Sequence, residues 1–420
     1  MARLGFADSD TAARDWSSVG STDVELLPII AAASDPDQAL RSLARIVSAQ
    51  TPALAAELVS ALRSSPELAR RLTLVLGASG ALGDHLVAHP NEWHQLENAD
   101  LMTMRPTAAG ITTELTAARD RDELRLIYRR LLLRLAVRDL SLDLRVDDAA
   151  AELADLASGA IEAALLLARH EVGAAAESCR ISVIGMGKCG GQELNYVSDV
   201  DVIFVAEAAD GYAEAAALKA ATAIAAAIMR ICSDHTGEGT LWPVDAGLRP
   251  EGKSGPLVRT VKSHASYYER WAKTWEFQAL LKARPIAGDP ELGQRYMEVT
   301  SPLVWAAADR PDFVAEVQAM RRRVVSQIPA GEAARQLKLG SGGLRDIEFA
   351  VQLLQLVHGR SDLNLRSSHT MQALEALTQG GYIGRDDGAA LGEAYRFLRT
   401  LEHRLQLRQL RRTSIMPVNP

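Results

Sequence analysis

Three cysteines in 420 residues, Cys179, Cys189 and Cys232, are too few and too scattered for a disulfide framework or a zinc site. Free thiols in such a chain serve as small apolar side chains and fit a reducing compartment. Aromatic residues make up only 5% of the chain, so its core has to come from Leu and Ala on amphipathic helix faces. A basic surplus is missing as well. The formal net charge is −7, whereas a nucleic-acid binder carries excess cations that displace counterions. The triplet Arg321-Arg322-Arg323 reads as the solvated face of a helix. The longest apolar runs, residues 131–133 and 223–229, are far too short to span a bilayer. The opening MARLGFADSDTAARDW has no apolar signal core. These absences predict a cytoplasmic protein with neither a nucleic-acid nor a membrane partner.

What remains divides by pattern. The length predicts two or three packed units. Residues 1–22 have mixed composition and read as a loose leader, and residues 23–175 read as a helical domain. Within it, Leu124, Ile127, Tyr128, Leu131 and Leu135 recur at spacings of three and four, the mark of one helix face. At residue 180 the pattern changes. ISVIGMG (181–187) is a β-branched run closed by glycines, and DVDVIFV (199–205) alternates as a strand does. A long Ala-rich helix is predicted over 213–233. Residues 241–245 form a third strand, which Pro243 confines to an edge. Helical patterning resumes near Ser263 and continues to the end, broken around Pro285, Pro290, Pro329 and Gly340 to Gly343. The fold predicted is mostly α, with a small mixed α/β core at 176–288 between helical domains at 23–175 and 289–420.

Asp199 and Asp201 stand at the mouth of the second strand. Positions i and i+2 of a strand share a side, with Cα atoms about 6.6 Å apart. Carboxylates so placed can share hard divalent cations such as Mg²⁺, which prefers oxygen ligands together with phosphate oxygens. Two metals roughly 3.5–4 Å apart can hold the attacking and leaving oxygens of an in-line phosphoryl displacement. The alternative is that Asp199 caps a turn and Asp201 is merely exposed. The surroundings favour the first reading. Gly190 and Gly191 precede the pair and allow backbone amides to approach a phosphate, with a helix start to add its positive end. Ser198 adjoins the first acid, and Asp245 on the third strand is placed to complete a metal cage.

Gly185-x-Gly187-x-x-Gly190 also matches a dinucleotide-binding fingerprint. That motif needs a full crossover helix and an acid at the far end of the next strand. Only about nine residues are available here, and the acids open the strand, so this reading fails on geometry.

With these residues in view, the chain resembles the bifunctional adenylyltransferases that control glutamine synthetase. The similarity lies in GMGKCGGQELNYVSDVDVIF (185–204), VDAGLRPEGKSGPLV (244–258), WAKTWEFQALLKARP (271–285) and KLGSGGLRDIEFAVQLLQLVHG (338–359). The blocks stand in the family's order, and LGASGALGDHLVAHP (76–90) resembles its leading region. Cys189 departs from a common Leu. Ala246 and Gly247 depart from Met-Arg, which leaves Arg249 as the expected phosphate-contacting cation.

The resemblance implies a nucleotidyltransferase core of the DNA polymerase β type. Family members carry two copies of that unit, one attaching AMP to a tyrosine of glutamine synthetase and one removing it. A single copy occurs in this sequence. The matches at Glu193 to Asn195, Gly255 to Val258 and Gly343 to Arg345 resemble the adenylyl-removing copy, so the chain reads as the amino-terminal part of a longer enzyme. The implied reaction is phosphorolysis of AMP-O-tyrosine to ADP and free tyrosine. Asp199, Asp201 and Asp245 would bind Mg²⁺. Lys188, Arg249, Lys253 and Arg345, with Gly190, Gly191 and Ser198, would meet nucleotide or phosphate. Adenylylated glutamine synthetase, phosphate, ADP and a PII-type signal protein are the implied partners. Two alternatives stay open: ATP-dependent adenylylation, and a non-catalytic module that docks glutamine synthetase and a PII protein. The scattered histidines read as structural, and Trp271, Trp275 and Phe277 as one helical core face.

Overall fold

The computed structural model describes residues 1–20, 25–141, 144–311, 313–326, 328–329 and 331–418. Helices dominate, and the described residues hold one small mixed sheet. Two compact units are present. One comprises Met1–Thr107, Arg129–Ala149 and His403–Arg412; the other comprises Ala108–Tyr128, Ala150–Glu402 and Thr413–Pro420.

The first unit is helical because its sequence repeats a start signal. Asp35, Thr51 and Ser65 each precede a proline, and each side chain accepts the amide three residues on. Such a cap meets an otherwise unpaired N–H, while proline presets φ for the first turn. Behind the first cap, Leu40, Leu43 and Ile46 of the Pro36–Ser48 helix are fully buried. The leader proves ordered within the described residues. Ser9–Val19 is a helix capped by Asp8, and Asp37 accepts the amides of Ala7 and Asp8. The boundary placed at Thr22 lies outside the described residues.

The second unit holds the sheet. Strand β1 (Cys179–Gly185) pairs antiparallel with β2 (Val200–Ala208), Val183 opposite Phe204 and Ile184 opposite Ile203. An antiparallel pair cannot be a βαβ crossover, which removes the dinucleotide-binding reading on topology. Strand β3 is only Val244–Asp245, parallel to β2 at its edge. Pro243 stays outside β3, and its carbonyl accepts the amide of Val200 at 3.0 Å.

Two strands were not anticipated. Strand β4 (Val258–Arg259) pairs parallel with β2 further along, and β5 (Arg284–Gly288) pairs antiparallel with β1. Both are short, and Pro285 sits inside β5 at a register shift, so neither carries a periodic signal. One sheet face, with Ile184, Ile203 and Val205, packs against Tyr268, Phe277, Leu292 and Tyr296.

The Glu214–Ser233 helix packs on β1 and β2. It is long and apolar enough to cross a bilayer by length and composition. Its Ala217, Ala221, Ile224, Ile228 and Ile231 are buried, as in a core helix. Of the three aromatics read as core, only Phe277 is buried. Trp271 caps the preceding Val261–Arg270 helix and is 73% exposed.

Candidate active site

A strap from β1 to β2 brings the acids to their place. It leaves β1 at Gly185, makes one helical turn at Gly187–Gly190, and runs without regular structure to Asp199. The amide of Met186 donates to the carbonyl of Asp201 at 2.8 Å and closes the base of the strap. Asp199 stands just before β2. Asp201 is its second residue, directly in register with Asp245 of β3. Neighbouring strands lie about 4.8 Å apart, so residues in register project side by side.

The electrostatics follow from that crowding. Burial, then the charge of Asp245 and of Asp199, raises the Asp201 carboxyl to about 6, against the pull of Lys338 and Arg345. Burial and like charge both favour the protonated form of such a carboxyl, and a bound cation would favour the ionised one. Two glycines leave room around the pair. A Cβ on Gly187, whose φ is +52°, would lie 2.5 Å from Asp201 Oδ2, and one on Gly247 would lie 2.9 Å from Asp245 Oδ1. The donor set is oxygen throughout and suits a hard divalent ion such as Mg²⁺. Among the described residues no three His, Cys, Asp or Glu side chains are drawn together as a closed cage. Asp245 Oδ1 instead accepts the amide of Gly247 at 2.7 Å. The arrangement is thus a facing pair, Asp201 and Asp245, with Asp199 beside it.

Several residues expected to meet nucleotide or phosphate are engaged elsewhere. Gly190 and Gly191 do not offer their amides, which donate to the carbonyls of Met186 and Gly187. They serve close packing instead, since a Cβ on Gly190 would lie 1.9 Å from the Lys282 carbonyl oxygen. Lys188 turns inward. Its Nζ lies 3.0 Å from Asn195 Oδ1 and 3.2 Å from Glu402, and burial lowers its ammonium to about 7. Arg249 spends its donors on the carbonyls of Ala246, Lys253, Gly255 and Pro256, so it clamps its own loop. Lys253 is exposed in that loop, and Ser198 is half-buried beside Asp199.

The charges of Arg345 and Lys338 reach Asp201, and that of Arg249 reaches Asp245 even as its donors hold the loop. The backbone pairs the first two: the amide of Arg345 donates to the Lys338 carbonyl at 2.9 Å. Arg321 holds the connecting loop through Asp346 and the carbonyls of Leu339 and Gly340, so only part of the Arg321 to Arg323 cluster is a solvated face. No motif marks Lys338 as a site cation in the sequence, although it opens the block that contains Arg345.

Comparison with known proteins gives the family. A family model described as glutamate-ammonia ligase adenylyltransferase matches residues 69–299, more than half of the chain. A model of the GlnD PII-uridylyltransferase matches residues 318–419. The bifunctional glutamine synthetase adenylyltransferase/adenylyl-removing enzyme of Streptomyces avermitilis is 55% identical across 99% of this chain and 42% of the relative. The proteins of that name from Streptomyces coelicolor and Mycobacterium avium are 55% and 51% identical, again across 99% of this chain and 42% and 41% of theirs. The chain spans about two fifths of the length of the curated relatives it matches. On the match over residues 69–299 and these identities, the chain belongs to the glutamate-ammonia ligase adenylyltransferase family.

Proposed function

We propose that this chain removes AMP from a tyrosine of glutamine synthetase by phosphorolysis, at a nucleotidyltransferase site built on Asp199, Asp201 and Asp245. The observation that carries the reading is the pairing of Asp201 with Asp245 in register, where burial and like charge leave a carboxyl at about 6. Such a pair gains most when a divalent cation neutralises it. Mg²⁺ bound there supplies positive charge to the phosphoryl oxygens as charge builds on them.

The chain's own residues then have distinct tasks. Asp201 and Asp245 would hold the cation, and Asp199, just before β2, would add a third carboxylate. Arg345 and Lys338, whose charges act on Asp201, would serve a second anion bound beside the nucleotide. An oxygen of inorganic phosphate attacks the AMP phosphorus, and the bond to the tyrosine oxygen breaks. That oxygen takes up a proton, and the products are ADP and free tyrosine. Positioning and charge, not a covalent enzyme intermediate, carry such a displacement.

The direction rests on the Glu193 to Asn195, Gly255 to Val258 and Gly343 to Arg345 segments, which resemble the removing copy of the unit. The substrate is then adenylylated glutamine synthetase in the cytoplasm. The match of residues 318–419 to a PII-uridylyltransferase model supports a link to PII-type signalling. The decisive assay mixes the chain with adenylylated glutamine synthetase, Mg²⁺ and phosphate. Release of ADP that depends on phosphate is expected. Release of AMP without phosphate, or strong transfer of label from ATP to unmodified glutamine synthetase, would refute the assignment.

A further inference from the structure

The strap that delivers the acid pair has little structure of its own: one four-residue turn and then irregular chain up to Asp199. Its polar groups are met from far along the sequence. Arg399, 2% exposed on the Arg385–Gln409 helix, spreads its guanidinium over the strap. Nη2 donates to the carbonyls of Glu193 at 2.7 Å and Leu194 at 3.2 Å. Nη1 donates to Asn195 Oδ1 and to Glu402 Oε2, the latter at 2.9 Å. Glu402, equally buried, also receives Lys188 from the strap's helical turn at 3.2 Å. A second staple lies beside the first. The Glu193 carboxylate accepts the amide and the hydroxyl of Thr370, and pairs with Lys282.

We propose that Arg399 and Glu402 are positioning residues for the acid pair, fixing the 187–198 strap, and through it Asp199 and Asp201, to the Arg385–Gln409 helix. The assignment of a catalytic consequence rests on the phosphorolysis reading above. Three physical points support it. Carbonyls in irregular, buried chain must find donors, and an arginine fork is the side chain that can serve three acceptors at once. Buried ion pairs add little net stability, because desolvation offsets most of their attraction. Five buried or nearly buried ionisable groups around one strap (Lys188, Glu193, Lys282, Arg399, Glu402) are therefore better explained by fixed geometry than by stability. Finally, the Met186 to Asp201 hydrogen bond couples the strap's base to the carboxylate-bearing residue, so a shift of the strap is felt in β2.

Two conservative variants test this. Arg399→Lys keeps a charge facing Glu402 but loses the fork, and Glu402→Gln keeps the shape without the charge. Hydrogen exchange is followed over residues 187–198, with the β1 amides of Cys179–Gly185 as the internal reference. Exchange in the strap should rise about tenfold with β1 unchanged, and kcat should fall about tenfold with KM within about twofold. A folded variant with unaltered strap exchange, or with raised exchange and parental kcat, overturns the proposal. If Arg399→Lys does not fold, Glu402→Gln decides alone. A parent enzyme inactive on adenylylated glutamine synthetase would defeat the functional reading, and the exchange measurement would still decide whether Arg399 and Glu402 hold the strap.

Discussion

Asp201 and Asp245 stand opposite one another across two parallel strands, 44 positions apart in sequence and in direct register in the sheet. The relationship depends on β3 being a two-residue strand laid against the first two residues of β2. A slip of one residue would turn one carboxylate to the opposite face.

From this pair we expect activity and stability to separate in Asp201→Asn. Turnover should fall by about a thousandfold or more, since the carboxylate that holds the metal is gone. The folded carboxyl, at about 6, lies above its ordinary 3.8. Its charge therefore costs stability above about pH 6, and that cost is relieved as pH falls towards 4. In EDTA at pH 8 the variant should be more stable than the parent by about 1–3 kcal/mol, read from urea unfolding. Mg²⁺ should raise the thermal midpoint of the parent and leave that of the variant in place. Near-parental turnover at saturating Mg²⁺ would remove Asp201 from the site.

Gly187→Ala should damage the site directly. The added methyl would meet Asp201 Oδ2 at 2.5 Å, at a φ of +52° that L residues adopt only under strain. A stability loss of about 1–2 kcal/mol is expected, with a fall of about tenfold or more in kcat. A crystal structure of the variant with the Asp201 carboxylate unmoved would contradict the close approach.

Arg249→Lys separates a loop clamp from a phosphate ligand. Lysine keeps the charge but cannot serve the carbonyls of Ala246, Lys253, Gly255 and Pro256 together. Exchange over residues 246–256 should rise about tenfold, while the phosphate dependence of turnover stays within about twofold of the parent. A selective rise in the KM for phosphate would show that Arg249 contacts it after all.

His264 should contribute, with His85, to a pH limit on stability, since burial lowers both imidazoles from 6.5 to about 4. The His264 Nδ1 donates to the Thr260 carbonyl at 3.0 Å. Between those two values the unfolded chain binds a proton that the folded one refuses, so stability falls as pH drops from 6.5 towards 4. The loss attributable to His264 is on the order of 2–3 kcal/mol. In His264→Gln the slope of unfolding free energy against pH should flatten over that window. An unchanged slope would show that other groups carry it.

Much of this protein is legible in local chemistry. The caps at Asp35, Thr51 and Ser65 are written as short-range signals. So are the helix face around Leu124 and Leu135 and the β-branched runs of β1 and β2, because each depends only on residues a few positions apart. The Asp199-Val200-Asp201 motif and the family resemblance of the blocks around it were visible for the same reason. Tertiary structure alone decided the rest. Strands β4 and β5 are too short to show a period and exist because β2 and β1 had edges to pair. Lys188 and Arg249 read in the sequence as nucleotide or phosphate contacts, but which acceptors surround a cation is decided by the fold. The fold gave Lys188 a buried carboxylate and Arg249 four carbonyls. Lys338, Arg399 and Glu402 stand 137, 198 and 201 residues beyond Asp201, distances over which no sequence periodicity survives.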